Sequence, residues 1–193
     1  MFVAVRPPPA AVEDLDEFLD VRRAATSKGG DALRWSLPEQ LHVTLTFLAE
    51  VPERRLEDLE ARLERAARKR TAFSTRIAGG GAFPNAARAR VLWAGLDLTD
   101  DNHEELRRLA TGARASANRA GITVDGQRFR PHITVARIGR PTEVTNWVRL
   151  LDSYAGPEWS VHDIELVASH LGEGPRGRPR YETVAVFPLI PTK

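Results

Sequence analysis

The sequence predicts an α+β protein of two lobes, with two antiparallel sheets facing a central cleft and helices on the outside. Three observations carry this reading. His42-Val43-Thr44 and His132-Ile133-Thr134 each sit in an apolar, β-branched run of the kind that forms strands. Each run is followed by a proline, Pro52 or Pro141, and then by a helical pattern, so a strand-turn-helix unit occurs twice and suggests a pseudo-two-fold. The other strands adjoin one another with few alternations of βαβ length, which favours antiparallel pairing. No linker or composition shift divides residues 1–193, so one bilobal domain is expected.

The elements follow in order. Residues 2–5 read as an opening strand stopped by Pro7-Pro8-Pro9. A helix over 10–25 carries Val12, Leu15, Leu19 and Arg22 on one stripe, and Ser27-Lys28-Gly29-Gly30 is a loop. Strands are expected over 33–37 and 41–48, with a turn at Pro38-Glu39 between them. Pro52 suits a helix start, where its missing N–H costs nothing, and Leu56, Leu59 and Leu63 give that helix its inward face as far as Lys69. A strand over 73–77, a turn at Gly79-Gly80-Gly81 and a strand over 89–96 come next. A helix over 101–120 carries Leu106, Leu109, Ala110, Ala113 and Ala117, with Gly121 as its C-terminal stop. The second motif strand spans 129–138, a short helix 142–151, and two final strands 159–168 and 181–187.

Composition limits the function classes. The 193 residues are 42% hydrophobic and 28% charged, ordinary for a globular protein. A net charge of +2 is too small for a protein that coats nucleic acid by electrostatics alone. Arginines nevertheless crowd the second motif (Arg128, Arg130, Arg137, Arg140) and a late loop (Arg176, Arg178, Arg180). With no cysteine, disulfides, thiolate catalysis and Cys-ligated zinc are excluded. No apolar stretch approaches the roughly 20 residues a membrane helix needs, and the N-terminus lacks the basic start of a signal peptide. A cytoplasmic enzyme, without a membrane partner and monomeric, is the expectation.

The chemistry lies in the two motifs. Side chains alternate along a strand, so His and Thr two residues apart share a face, roughly 6–7 Å apart. Two such pairs facing one cleft supply two imidazoles for proton transfer and two hydroxyls for an oxyanion, a pattern suited to acid–base chemistry on a phosphate. A histidine inside a strand needs partners for its ring nitrogens, and a lone one reads as a satisfied core residue. Two in matched surroundings read as a catalytic pair. His103, His162 and His170 lack the threonine and read as surface or structural residues. Trp35, Phe83 and Trp93 suit the core or a stacking platform for a base. Gly79-Gly80-Gly81 lacks the lysine of a phosphate-binding loop, and no metal-ligand spacing occurs.

Several stretches together resemble the two-histidine phosphoesterases, most closely the bacterial and archaeal RNA 2′,3′-cyclic phosphodiesterases, also described as 2′–5′ RNA ligase-like. They are Phe2-Val3-Ala4-Val5 before its prolines, Arg34-Trp35, Leu41-His42-Val43-Thr44-Leu45-Thr46-Phe47-Leu48, Gly81-Ala82-Phe83-Pro84, Arg90-Val91-Leu92-Trp93-Ala94-Gly95, Phe129-Arg130-Pro131-His132-Ile133-Thr134-Val135-Ala136-Arg137, Tyr181-Glu182 and Phe187-Pro188-Leu189. The resemblance runs along essentially the whole chain. Ala49 departs from it where glycine is common, and the Arg- and Gly-rich loop over 172–180 is longer than usual.

That resemblance implies hydrolysis of a terminal RNA 2′,3′-cyclic phosphate to a 2′-phosphomonoester, without metal or other cofactor, with 2′–5′ ligation as the reverse reaction. It implies His42 as proton donor, His132 as proton acceptor, Thr44 and Thr134 as donors to the non-bridging oxygens, and Arg130 and Arg137 as holders of phosphate or RNA. Two other readings stand beside it. One is a two-histidine enzyme acting on another small cyclic or 2′–5′ linked nucleotide; the other is a non-catalytic RNA-end-binding module.

Overall fold

A computed structural model describes residues 1–26, 33–124, 126 and 128–192. The loop expected at 27–30 lies outside the described residues. The described chain contains β1 (Phe2–Val5), α1 (Pro9–Thr26), β2 (Leu33–Trp35), β3 (Val43–Phe47), α2 (Glu53–Ala67), β4 (Phe73–Phe83), β5 (Ala89–Asp97), α3 (Asp100–Arg119), β6 (Ile133–Thr142), α4 (Thr145–Asp152), β7 (Trp159–Val161), β8 (Asp163–His170) and β9 (Arg180–Pro188).

The strands form one curled antiparallel path, β7-β4-β5-β6-β3-β1-β8-β9, with β2 also on β6. The two expected sheets are the two halves of this path. They meet where the motif strands touch, through a single register pair, Val43 opposite Ile133. Helices α2 and α3 pack together beside the β3-β1-β8-β9 half, whereas α4 lies on β4 and β5 and α1 reaches β4. The lobes are therefore not the two halves of the sequence. C-terminal β8 pairs with N-terminal β1, and α1 serves the lobe that holds β4 and β5.

Local chemistry accounts for the elements that frame the site. Thr99 caps α3 by accepting the Asn102 N–H at 3.2 Å, with Asp100 and Asp101 in the positive first turn. The helix ends in a Schellman motif: Gly121, at φ +72°, lets the Ile122 N–H reach the Ala117 carbonyl and the Gly121 N–H reach that of Asn118. Gly79-Gly80-Gly81 is not a turn between strands but part of β4. A Cβ on Gly80 would lie 2.5 Å from Leu151 Cβ, and one on Gly81 would strike the Trp93 ring. These glycines let α4 and an indole approach the backbone. The strand expected over 159–168 is split at His162 into β7 and β8, which pair with different neighbours.

Strand β1 is buried on both faces, as its unbroken apolar run requires. Val3 and Val5 enter the main core, with Leu15, Leu59, Leu63, Leu92, Leu106, Ile133 and Leu151. Phe2 and Ala4 face the other way and form a small apolar floor with Val167 and Tyr181. Among the described residues no helix is long and apolar enough to cross a membrane.

Candidate active site

Both motifs are set by the same backbone device. His42 and His132 precede β3 and β6 by one residue, and the lone Val43–Ile133 pair lies between them. Continuing that antiparallel register by one residue each way puts His42 opposite Thr134 and Thr44 opposite His132. The two strands then break alternation at matching places. On β3, Val3 and Ala4 face Thr46 and Thr44, so Leu45 is the extra residue; on β6, Leu92 and Trp93 face Ala136 and Thr134, so Val135 is the extra residue. Each bulge reverses the faces beyond it. Phe47 and Arg137 are thereby brought to the same face as the His and Thr of their own strand.

His42, Thr44, His132, Thr134, Phe47 and Arg137 all line one cleft of about 560 Å³ between the lobes. The site threonines expected from spacing are thus gathered with both imidazoles. Arg137 joins them only because of the bulge, since a regular strand would have turned it away. Among the described residues it forms no ion pair, and its charge acts on both imidazoles. Arg130 does not line this cleft. Its guanidinium lies 5.9 Å from the Phe83 ring centre and lines an adjoining groove. Arg178, from the late loop, reaches the cleft, whereas Arg180 is held outside by Glu173 and Glu182.

The imidazoles are oriented identically. His42 Nδ1 lies 2.7 Å from the Gln40 carbonyl and His132 Nδ1 lies 2.7 Å from the Arg130 carbonyl. A carbonyl only accepts, so each Nδ1 carries the proton and each Nε2 is left for a ligand. The Gln40 side chain braces its own carbonyl by accepting the Leu37 N–H at 3.2 Å and donating to the Pro179 carbonyl at 2.9 Å. Aromatic rings complete the sockets. Phe2 stacks on His42 at 4.5 Å with Tyr181 edge-on at 5.5 Å, and Phe83 meets His132 edge-on at 5.0 Å with Trp93 beyond at 6.3 Å. Phe83 and Trp93 therefore serve the His132 socket. Trp35 packs on Trp147 at 4.7 Å and lines the cleft.

Burial is the main force on both rings. It pushes His42 down from 6.5 to about 4, opposed by the Gln40 carbonyl and reinforced by Arg6, Arg137 and His132. His132 is also lowered by burial, opposed by the Arg130 carbonyl and reinforced by Arg137. Both imidazoles are neutral at pH 7 in the free protein.

The remaining histidines lie elsewhere. His103 lines the adjoining groove, His162 is exposed beside Asp163, and His170 contacts Glu182 at 3.1 Å on the β8–β9 hairpin. The residues that spacing missed are Phe2, Gln40 and the ring of Tyr181. Phe2 and Tyr181 fall in stretches that carry the resemblance and Gln40 only lies near a motif, but spacing assigns none of them to the histidine because their partners are remote in sequence.

Two imidazoles bonded through Nδ1 thus share one cleft with two threonine hydroxyls and a guanidinium, and the class of protein that carries this fold and site is a phosphoesterase. The chain belongs to the family described as LigT like phosphoesterase, whose model matches residues 6–93 and 96–176. It is 37% identical over 151 residues to the Archaeoglobus fulgidus RNA 2′,3′-cyclic phosphodiesterase, covering 78% of this chain and 80% of that one. It is also 37% identical over 158 residues to the Thermus thermophilus protein of the same name, covering 79% and 73%. Among solved structures, TT0787 of Thermus thermophilus superposes with a TM-score of 0.71 at 33% identity over 97% of this chain and 96% of that one. Escherichia coli LigT complexed with 3′-AMP gives 0.72 at 25% identity, with the same coverage.

Proposed function

We propose that this protein hydrolyses the 2′,3′-cyclic phosphodiester at the end of an RNA strand to a 2′-phosphomonoester. The observation that carries the reading is the pair of imidazoles tied by Nδ1 to carbonyls, each with Nε2 open to one cleft. The named activity of its relatives supports the same substrate class. In the proposed step, neutral His132 removes a proton from water as the water oxygen bonds to phosphorus. The P–O3′ bond breaks, and protonated His42 gives its Nε2 proton to the departing O3′. The products are a 2′-phosphomonoester and a free 3′-hydroxyl, and proton exchange with solvent resets the pair. Thr44 and Thr134 donate to the non-bridging oxygens as charge grows there, and Arg137 balances that charge. His42 acquires its proton with substrate, because the phosphodiester's own negative charge stabilises an imidazolium.

The test is turnover of adenosine 2′,3′-cyclic monophosphate, followed by ³¹P NMR in EDTA. Wild type is expected to form the 2′-phosphate, and His42→Ala and His132→Ala to lose about 10²–10⁴-fold in rate with unchanged circular dichroism. A 3′-phosphate product, loss of turnover in EDTA, or a folded His→Ala variant with wild-type rate would overturn the assignment.

A further inference from the structure

The catalytic cleft does not end at His132. It shares Thr44, Phe47 and His132 with a second groove of about 490 Å³, and that groove shares Arg107 and Thr111 with a third of about 360 Å³ between α2 and α3. No carboxylate lines either outer groove among the described residues. By contrast, Glu13, Glu39, Asp163 and Glu165 line the pocket beside the N-terminal prolines. A chain of net charge +2 has therefore collected cations along one track.

The charges on this track are of two kinds. Arg62, Arg70, Arg107 and Arg108 are partly balanced by Asp58, Glu104 and Glu105. Arg128 and Arg130 in the middle groove, and Arg65, Lys69 and Arg119 in the outer one, form no ion pair among the described residues. The outer floor is shallow because α2 and α3 meet through small residues. A Cβ on Gly112 would sit 3.5 Å from that of Ala66, and Ser116 Oγ donates to the Arg62 and Gly112 carbonyls. Along α3, His103 to Arg119 spans about 24 Å at ~1.5 Å per residue, room for several extended nucleotides. At the junction with the cleft stands Phe47, 49% exposed and turned outward by the β3 bulge.

Together these features lead us to infer that the α2–α3 face carries the RNA strand upstream of the reacting end, holding its phosphates on Arg130, Arg65, Lys69 and Arg119 and stacking one base on Phe47. The inference rests on the proposed reaction, which puts a strand terminus in the cleft. A cationic groove beside an exposed ring is what sequence-independent capture of single-stranded RNA requires. Contacts remote from the reacting phosphorus strengthen substrate and transition state alike, so they act on KM and leave kcat alone.

The experiment compares adenosine 2′,3′-cyclic monophosphate with an unstructured oligoribonucleotide that bears the same end and is long enough to cross both grooves. The enzyme is wild type and Arg65→Gln/Lys69→Gln/Arg119→Gln. The triple variant is expected to turn over the mononucleotide like wild type. On the oligonucleotide its KM should rise about tenfold or more, and its log KM against log salt slope should be shallower by about 2, at ~0.7 per phosphate contact. Equal losses on both substrates, or none on the long one, would overturn the track. Anisotropy with a 3′-phosphorylated single strand separates the two hypotheses. If wild type turns over neither substrate, the proposed reaction falls, while weaker strand binding by the triple variant still supports the track and unchanged binding overturns it.

Discussion

Acid should destabilise this protein through His42. Burial lowers that imidazole from 6.5 to about 4 in the folded chain, while unfolding returns it to its ordinary value. Between those values the unfolded chain holds a proton that the folded chain refuses. The contribution to stability is therefore complete above about pH 6.5 and is lost as pH falls towards 4. At 1.36 kcal/mol per pH unit across that window, the loss is about 3 kcal/mol, a large share of the 5–15 kcal/mol typical of a domain. The assay is urea unfolding at pH 7 and pH 4 for wild type and His42→Gln, which leaves His132 and every carboxylate in both proteins so that their effects cancel. Wild type should lose about 3 kcal/mol more than the variant over this interval. Identical pH dependences in the two proteins would mean that the ring is not held neutral by burial, and the account of the His42 socket would be wrong.

Two further outcomes are expected. Because substrate charge raises His42, the basic limb of kcat, which reports the complex, should lie at higher pH than that of kcat/KM, which reports the free enzyme; coincident limbs would count against His42 as the donor. Gln40→Leu removes the bonds that brace the carbonyl behind His42, so kcat should fall about tenfold with KM little changed and pH limbs displaced, whereas equal effects on unrelated surface variants would remove its positioning role.

What the sequence made legible was local. The His-x-Thr spacing, the leucine stripe of α2, and the span and Gly121 stop of α3 all follow from side-chain periodicity and capping, which act within a few residues. What escaped depends on partners distant in sequence. The glycines of β4 looked like a turn because nothing nearby shows that Leu151 and Trp93 occupy the space their side chains would take. Arg137 could not be placed from alternation, since its direction is set by a bulge defined by pairing with β5. The repeated strand-turn-helix unit gave no sign that β8 crosses back to β1 and brings β9 with Tyr181 over His42.

The backbone treats the two motifs alike, and the chemistry needs them to differ. Register pair, bulge and Nδ1–carbonyl bond are duplicated; the surroundings are not. His42 is stacked flat on Phe2, whose own face belongs to a closed apolar floor, whereas His132 meets Phe83 edge-on beside a groove open to solvent. The residues after the bulges differ as well, Phe47 on one strand and Arg137 on the other. In the proposed reaction the open side suits the base, which must receive water. The closed side suits the acid, which should hold a proton only when substrate is present. A unit negative charge about 4 Å from His42 contributes about 4 kcal/mol at an effective dielectric of 20, comparable to the roughly 3 kcal/mol that burial withholds. Substrate binding is then the event that charges the donor, and the same burial that makes the free protein sensitive to acid keeps the empty site from holding that proton at neutral pH.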